Sequence, residues 1–254
     1  MTKERSKSIE TEQDVVIRIQ HLKKSFGSNE VLKDINLDLH HGENLAILGR
    51  SGQGKSVTIK CIIGLMEQDG GTINVLGKEI SELDDAALKE VQVKIGFLFQ
   101  GGALFDSMTV GDNLAFPLSR VLKLKNKKEI DARVNEMLDS VGLKDAISKM
   151  PGELSGGMRK RIALARTLIM QPEVVLYDEP TTGLDPITAK EISELIVNMQ
   201  HKYKSSSLII THDITCARMT ANRMLVMESG VFIAEGLGDE LEKSDNQLVR
   251  SFFK

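Results

Sequence analysis

The sequence predicts an α/β fold built on a parallel sheet, with a helix-rich segment inserted into it. Two observations carry that expectation. Short apolar runs of buried-strand length, Leu45–Leu48, Ile95–Phe99, Val174–Tyr177 and Ser207–Thr211, recur along the chain, separated by stretches with helical spacing. Between residues 110 and 170 the strand signal fades, and Val110–Leu122, Lys128–Val141 and Leu154–Met170 repeat apolar residues at helical intervals.

Taken in order, residues 1–13 mix both charge signs without an apolar stretch. They read as a flexible tail, and neither a secretory signal nor an organellar transit peptide is expected there. Val15–Gln20 and Val31–Leu39 read as strands separated by a turn around Gly27-Ser28-Asn29; Asn36–Leu39 alternates polar and apolar, as a half-buried strand does. His41-Gly42-Glu43 turns the chain into Leu45–Leu48, which stops at Gly49. After a glycine-rich loop, Ser56–Met66 reads as a helix; Asp69-Gly70-Gly71 ends that region, and Thr72–Leu76 reads as a strand before a turn at Gly77. The basic run Lys123–Lys128 reads as a solvated loop.

Composition bounds the function. The 254 residues carry 33 Lys and Arg against 36 Asp and Glu, a formal charge of −3, which argues against a broad basic face for nucleic acid. With 41% hydrophobic and 27% charged residues the balance is that of a soluble globular protein. No apolar run approaches the roughly 20 residues that span a bilayer. Cys61 and Cys216 form neither a disulfide framework nor a zinc site at their spacing, which fits a reducing compartment.

Gly49-Arg50-Ser51-Gly52-Gln53-Gly54-Lys55-Ser56 fits the Walker A pattern, Gly-x4-Gly-Lys-Ser/Thr, between a buried strand and a helix. Glycines let such a loop wrap phosphates with successive backbone N–H groups pointing inward, and the following helix adds the positive end of its dipole. The candidate ATP contacts are therefore Gly49, Arg50, Ser51, Gly52, Gln53, Gly54, Lys55, Ser56 and Val57. Lys55 is expected to reach the β- and γ-phosphates and the Ser56 hydroxyl to ligate Mg²⁺.

A second carboxylate site follows at Asp178-Glu179, the end of the buried run from Val174. Ligands of open α/β sheets sit at the carboxyl ends of strands. Asp178 is expected beside the Mg²⁺, and Glu179 is expected to orient or deprotonate a water attacking the γ-phosphate. His212 and Gln100 also end strand-like runs. The former is a candidate hydrogen-bond partner of the γ-phosphate or its water, the latter a candidate sensor of Mg²⁺ and the water. Catalytic candidates are thus Glu179, His212, Lys55 and Gln100, and metal candidates Ser56, Gln100 and Asp178.

Leu154-Ser155-Gly156-Gly157-Met158, followed by Arg159–Arg166, resembles the signature region of ATP-binding-cassette ATPases. Phe26 matches the aromatic that stacks on adenine, Gln100 the Q-loop, Thr182-Gly183-Leu184-Asp185 the D-loop and His212 the switch histidine. The resemblance covers roughly residues 15–240. It implies a P-loop NTPase (RecA-like) core at 14–99 and 167–238 with an N-terminal antiparallel β subdomain, a helical subdomain at 100–166, a cassette spanning 14–240, and a tail at 239–254. It also implies a head-to-tail dimer holding two ATP molecules, with Ser155, Gly156, Gly157 and Asp185 serving as nucleotide contacts.

Phe97–Val110, Asp112–Pro117, Met150–Met158 and Tyr177–Ile187 further resemble the Mla/Mce-type phospholipid-transport branch, in which Met stands where other cassettes carry Gln at position 158. That resemblance implies a dimeric membrane permease, an MCE-domain lipid-binding protein beyond it, and a peripheral location on the cytoplasmic face of the inner membrane. Ala103, Leu104 and Phe105 suit an apolar docking groove for the permease, or else pack inside the helical subdomain. Other cargoes (an amino acid or a metal chelate) are the alternative. A non-transport cassette acting on DNA or ribosomes would be expected to carry two cassettes, long coiled coils or zinc-binding cysteines. The Phe252-Phe253 pair is expected to dock on the core or on the partner ATPase.

Overall fold

The computed structural model describes residues 14–253; the expected tail at residues 1–13 lies outside the described residues. Two long strands open it, β1 (Val15–Phe26) and β2 (Asn29–His40), paired antiparallel around a turn in which Gly27 takes φ +62°. Strand β1 runs well past the expected Val15–Gln20. The reason lies at His21, where φ is +54° and the pairing register slips between Ile19 and Leu22. The bulge resets which residues face inward, so burial resumes at Leu22 after two exposed positions.

The chain then runs through β3 (Asn44–Leu48), α1 (Lys55–Ile62), β4 (Gly70–Val75), β5 (Lys78–Glu79), α2 (Asp85–Val93) and β6 (Ile95–Leu98). The expected helix from Ser56 to Met66 stops early because Gly64 takes φ +71°. A side chain there would collide with Leu88 at 2.8 Å. Helix α2 has no counterpart in the sequence reading. It is capped by Asp84, which accepts from the Ala87 N–H at 2.8 Å, and its core-facing stripe is only Leu88 and Val91, short enough to escape notice.

Next come α3 (Val110–Arg120), α4 (Lys127–Ser140), α5 (Gly156–Leu168), β7 (Val174–Asp178), α6 (Pro186–Tyr203), β8 (Ser206–Thr211), α7 (Ile214–Thr220), β9 (Arg223–Glu228) and β10 (Val231–Gly236). The described chain ends in two short helices, α8 (Gly238–Glu242) and α9 (Gln247–Ser251). The strands form one ten-stranded sheet in the order β5-β4-β1-β2-β10-β9-β3-β8-β7-β6. Strands β9, β3, β8, β7 and β6 run parallel, while β1, β2, β4 and β5 form an antiparallel wing. A parallel core with a helical insertion is what the sequence predicts, and the N-terminal antiparallel wing is what the resemblance implies.

Every residue of β3, β7 and β8 is buried, because both faces of the parallel core are covered. Val174, Leu176, Leu208 and Ile210 join the core shared with α1 and the antiparallel wing. Val175, Tyr177 and Ile209 point the other way, into the core built by α3, α4, α5 and α6. A third cluster joins Ala46, Leu48, Met224 and Val226 to Leu241 and Val249 of the terminal helices, with Phe252 and Phe253 packed on it. The Arg218 guanidinium lies 5.3 Å from the Phe253 ring centroid and pairs with Asp239 and Glu242. The paired phenylalanines thus dock on this chain's own core.

Both cysteines are buried free thiols. Burial pushes the Cys61 thiol up to about 11 and raises that of Cys216. A raised thiol keeps its proton at ordinary pH, and the thiolate is the reactive form. Iodoacetamide at pH 8 is therefore expected to leave both thiols of the folded chain untouched and to label both after unfolding. Intact-mass spectrometry checks this; rapid labelling of the folded chain would contradict the burial.

Candidate functional site

The site forms where three parallel strands end together. Strand β3 delivers the chain into the loop 49–54, β7 ends at Asp178, and β8 ends one residue before His212. The loop leads into α1 through Gly54, whose φ of +107° a side chain rarely tolerates and whose Cβ would meet Leu32 at 2.6 Å. Gly49 is equally crowded: a Cβ there would lie 2.8 Å from the Met227 carbonyl oxygen. Glycine at both positions is a steric requirement of the loop's path.

A cleft of about 360 Å³ opens at this point. Ser51, Gly52, Gly54, Lys55, Ser56 and Val57 line it together with Gln100, Glu179 and His212. Lys55 is 5% exposed, and its Nζ donates to the carbonyls of Gly49 at 2.6 Å and Arg50 at 3.1 Å. It also lies 3.6 Å from Glu179 Oε1. Burial pulls the Lys55 ammonium below the usual lysine range, and Glu179 opposes part of that shift.

Asp178 lies beneath the cleft, where it accepts a hydrogen bond from Ser56 Oγ at 2.9 Å. Burial raises its carboxyl above the usual aspartate range, and the Ser56 bond offsets part of the shift. A hydroxyl and a carboxylate at bonding distance are the hard oxygen donors that suit Mg²⁺, which commonly takes one or two protein oxygens and completes its shell with phosphates and water. Among the described residues no group of three or more His, Cys, Asp or Glu could hold a metal on its own. The donor set therefore fits a metal shared with phosphate. Such an ion would supply charge neutralisation at the phosphates.

Glu179 leaves its strand in a left-handed conformation, φ +51°, which costs a non-glycine residue roughly 1–2 kcal/mol. Its N–H donates to the Ile210 carbonyl at 2.9 Å, which anchors the turn. Its Oε2 accepts from Thr182 Oγ1 at 3.1 Å and from the His212 N–H at 3.3 Å, and lies 2.8 Å from His212 Nδ1. The carboxylate is thus aimed across the cleft from Lys55 and held from two loops.

The remaining candidates lie outside this cleft. The Gln53 side chain is engaged elsewhere, its Oε1 accepting from the Ser229 N–H. Arg50 is exposed, with its carbonyl bonded to Lys55. Phe26 sits at the end of β1, 49% exposed, with Lys24 Nζ 5.8 Å from its ring centroid. Ser155 caps α5, accepting from the Met158 N–H at 3.2 Å. Gly156 follows at the edge of a neighbouring cleft that also includes Gln100 and Thr182. A Cβ on Gly157 would meet the Thr188 methyl at 2.6 Å, so glycine there also allows the close approach of α6. Asp185 caps α6 and accepts from Thr188 Oγ1 at 2.6 Å; the bonds from Thr188 hold its carboxyl below the usual range.

The sequence reading missed Val31, which lines the cleft, and the hydroxyl of Thr182, which holds Glu179. Thr182 was within reach of the sequence, three residues after Glu179. Val31 comes from a strand distant in sequence, and nothing local marks it. Ala103 and Phe105 line an apolar groove with Phe97, Phe99 and Pro117, whereas Leu104 packs against the helical core.

The ABC transporter family profile matches residues 32–182. A protein of Mycobacterium leprae named a probable ribonucleotide transport ATP-binding protein is 42% identical over 238 residues, covering 94% of this chain and 68% of its own length. The Arabidopsis thaliana chloroplastic protein named trigalactosyldiacylglycerol 3 is 37% identical, covering 99% of this chain and 76% of that protein. The Clostridium tetani methionine import ATP-binding protein is 39% identical, covering 87% and 69%. This chain therefore spans about two thirds to three quarters of the length of these relatives. Among solved structures, the dimeric ATP-binding cassette MJ0796, bound to ADP and Pi in a post-hydrolysis state, superposes with a TM-score of 0.79 at 30% identity, covering 87% of this chain and 98% of that one.

Proposed function

This chain belongs to the ABC transporter ATPases and is an ATP hydrolase, and from that premise we propose that it powers phospholipid transport by a membrane permease. In this reading the loop 49–57 and Lys55 bind the phosphates, and Ser56, Asp178 and Gln100 hold Mg²⁺. Glu179 orients or deprotonates the attacking water, His212 holds Glu179 and the γ-phosphate side of the site, and Phe26 stacks on the adenine. Ser155, Gly156, Gly157 and Asp185 serve the ATP of a second copy in a head-to-tail dimer. The dimeric form of the solved cassette that this chain superposes on supports that division of labour.

The observation that carries the catalytic part is the junction of Lys55, Ser56, Asp178, Glu179 and His212 at the ends of three adjacent strands. Phosphoryl transfer to water asks for positioning and charge neutralisation more than for covalent catalysis, and this cluster supplies both.

The cargo rests on different support. The stretch from Phe97 to Val110 resembles the Mla/Mce-type branch, and a relative covering 99% of this chain is named for a diacylglycerol lipid. Relatives named for ribonucleotide transport and methionine import favour a second reading, a small polar cargo. Under the lipid reading the chain sits peripherally on the cytoplasmic face of the inner membrane. It docks through the groove at Ala103 and Phe105 on a dimeric permease, with an MCE-domain protein beyond. No helix among the described residues is long and apolar enough to cross a membrane. Native purification of the membrane complex, with mass spectrometry of its proteins and lipids, is expected to recover a permease, an MCE-domain protein and phospholipid. Recovery of a solute-binding protein and no lipid would move the assignment to the polar cargo.

A further inference from the structure

Helix α5 carries a buried cation that the reading above does not use. Lys160 is 7% exposed, and its Nζ donates to the main-chain carbonyl of Gln100 at 2.8 Å. Among the described residues no carboxylate bonds it directly; Asp178 and Glu179 act on its charge from further off. Burying an ammonium without such a partner is unfavourable, and a position needing only packing would suit methionine or leucine better. The charged donor here has one direct partner, the Gln100 carbonyl.

The same face of α5 holds the loop at two further points. Gly102 comes so close that a Cβ on it would lie 3.2 Å from the Ala163 Cβ. The Arg166 guanidinium donates to the Ala103 carbonyl and lies 4.4 Å from the Phe105 ring centroid. Positions 160, 163 and 166 recur at the three-residue spacing that shares a helix face. Gln100 lines the cleft together with Glu179 and His212, and its main-chain carbonyl is fastened to the helix.

We propose that Lys160 is a positioning residue for ATP hydrolysis: by fixing the Gln100 main chain to α5, it sets where the Gln100 side chain meets the metal and the attacking water. The proposal rests on the role given to Gln100 above. It also ties that side chain to the helix whose first turn holds Gly156 and Gly157, the cradle offered to a second copy.

The test is steady-state hydrolysis and fluorescent-nucleotide binding by the full chain, for Lys160→Met, Lys160→Gln, Gln100→Ala and the Lys160→Met/Gln100→Ala pair. Methionine keeps the volume and loses the donor, and glutamine keeps a donor without the charge. Lys160→Met is expected to lower kcat roughly tenfold, the size of effect a charge-assisted hydrogen bond carries. KM and nucleotide affinity are expected to stay within about twofold, and Lys160→Gln to recover most of the rate. The pair is expected to be no slower than Gln100→Ala alone, since both changes disable one group. Where Lys160→Met does not fold, Lys160→Asn, polar but too short to reach the carbonyl, is expected to show the same loss. An undiminished kcat in Lys160→Met or its substitute, a loss that glutamine does not recover, or a loss that multiplies fully with that of Gln100→Ala would each overturn the proposal. Normal turnover by Gln100→Ala would overturn the Gln100 assignment itself, and this proposal with it; that outcome is distinct from a normal Lys160→Met beside a slow Gln100→Ala.

Discussion

Glu179→Gln is expected to slow ATP hydrolysis by roughly 10²–10⁴-fold, the contribution typical of a positioned general base, and to leave nucleotide binding nearly intact. Glutamine matches the carboxylate in shape, so the turn at φ +51° and the contacts from Thr182 and the His212 N–H have an oxygen to engage. The variant loses the negative charge that faces Lys55 at 3.6 Å and the basicity needed to take a proton from water. Losing that charge relieves repulsion with the γ-phosphate, so binding is not impaired. ATP that binds and is not cleaved accumulates, and the head-to-tail dimer it bridges accumulates with it. Phosphate release and size-exclusion chromatography in Mg-ATP read both consequences. Parent-like phosphate release would remove Glu179 from its assigned role. A fully monomeric, ATP-loaded variant would remove the sandwich arrangement while leaving the chemistry in place.

The parts of this site that were legible in the sequence are those whose chemistry is local. The loop from Gly49 to Ser56 announces itself because phosphate wrapping needs glycines, a lysine and a hydroxyl at fixed spacing, directly after a strand. Asp178 and Glu179 are legible because they end an apolar run that is buried on both faces. The fold class was legible for the same reason: β3, β7 and β8 are buried throughout, so between their ends their sequences are short apolar runs. What stayed hidden depends on contacts far apart in the chain. Lys160 reads as one more surface lysine on a basic helix until Gln100, sixty residues earlier, is packed over it. The bulge at His21 hid the full length of β1, because alternation breaks there while the strand continues. Gly157 was legible as a signature glycine, but its crowding against Thr188 required the neighbouring helix to be in place.

Lys55→Ala is expected to lower hydrolysis by roughly 10²-fold or more, the scale of removing one preorganised charge stabiliser. Unlike Glu179→Gln, it is expected to weaken ATP binding as well. Lys55 Nζ now bonds the Gly49 and Arg50 carbonyls and stands near Glu179, which keeps a buried ammonium satisfied in the chain alone. Burial still holds it below its usual range, so this cation gains more than an exposed lysine from an added anion. Alanine removes that gain and leaves Glu179, with its contacts to Thr182 and His212 intact, as an uncompensated negative charge facing the phosphates. Ligand-linked stabilisation separates the two variants. Nucleotide at a hundred times its Kd stabilises a folded chain by about 2.7 kcal/mol, so Mg-ATP is expected to raise the unfolding temperature of the Glu179→Gln chain clearly and that of the Lys55→Ala chain little, at equal concentration. Each shift is read against the same variant without nucleotide. An ATP-dependent stabilisation of Lys55→Ala equal to that of the parent would show that the loop's amides and the Ser56–Asp178 pair bind the phosphates unaided. The role of Lys55 would then lie in the transition state alone, and its replacement would lower kcat with KM unchanged.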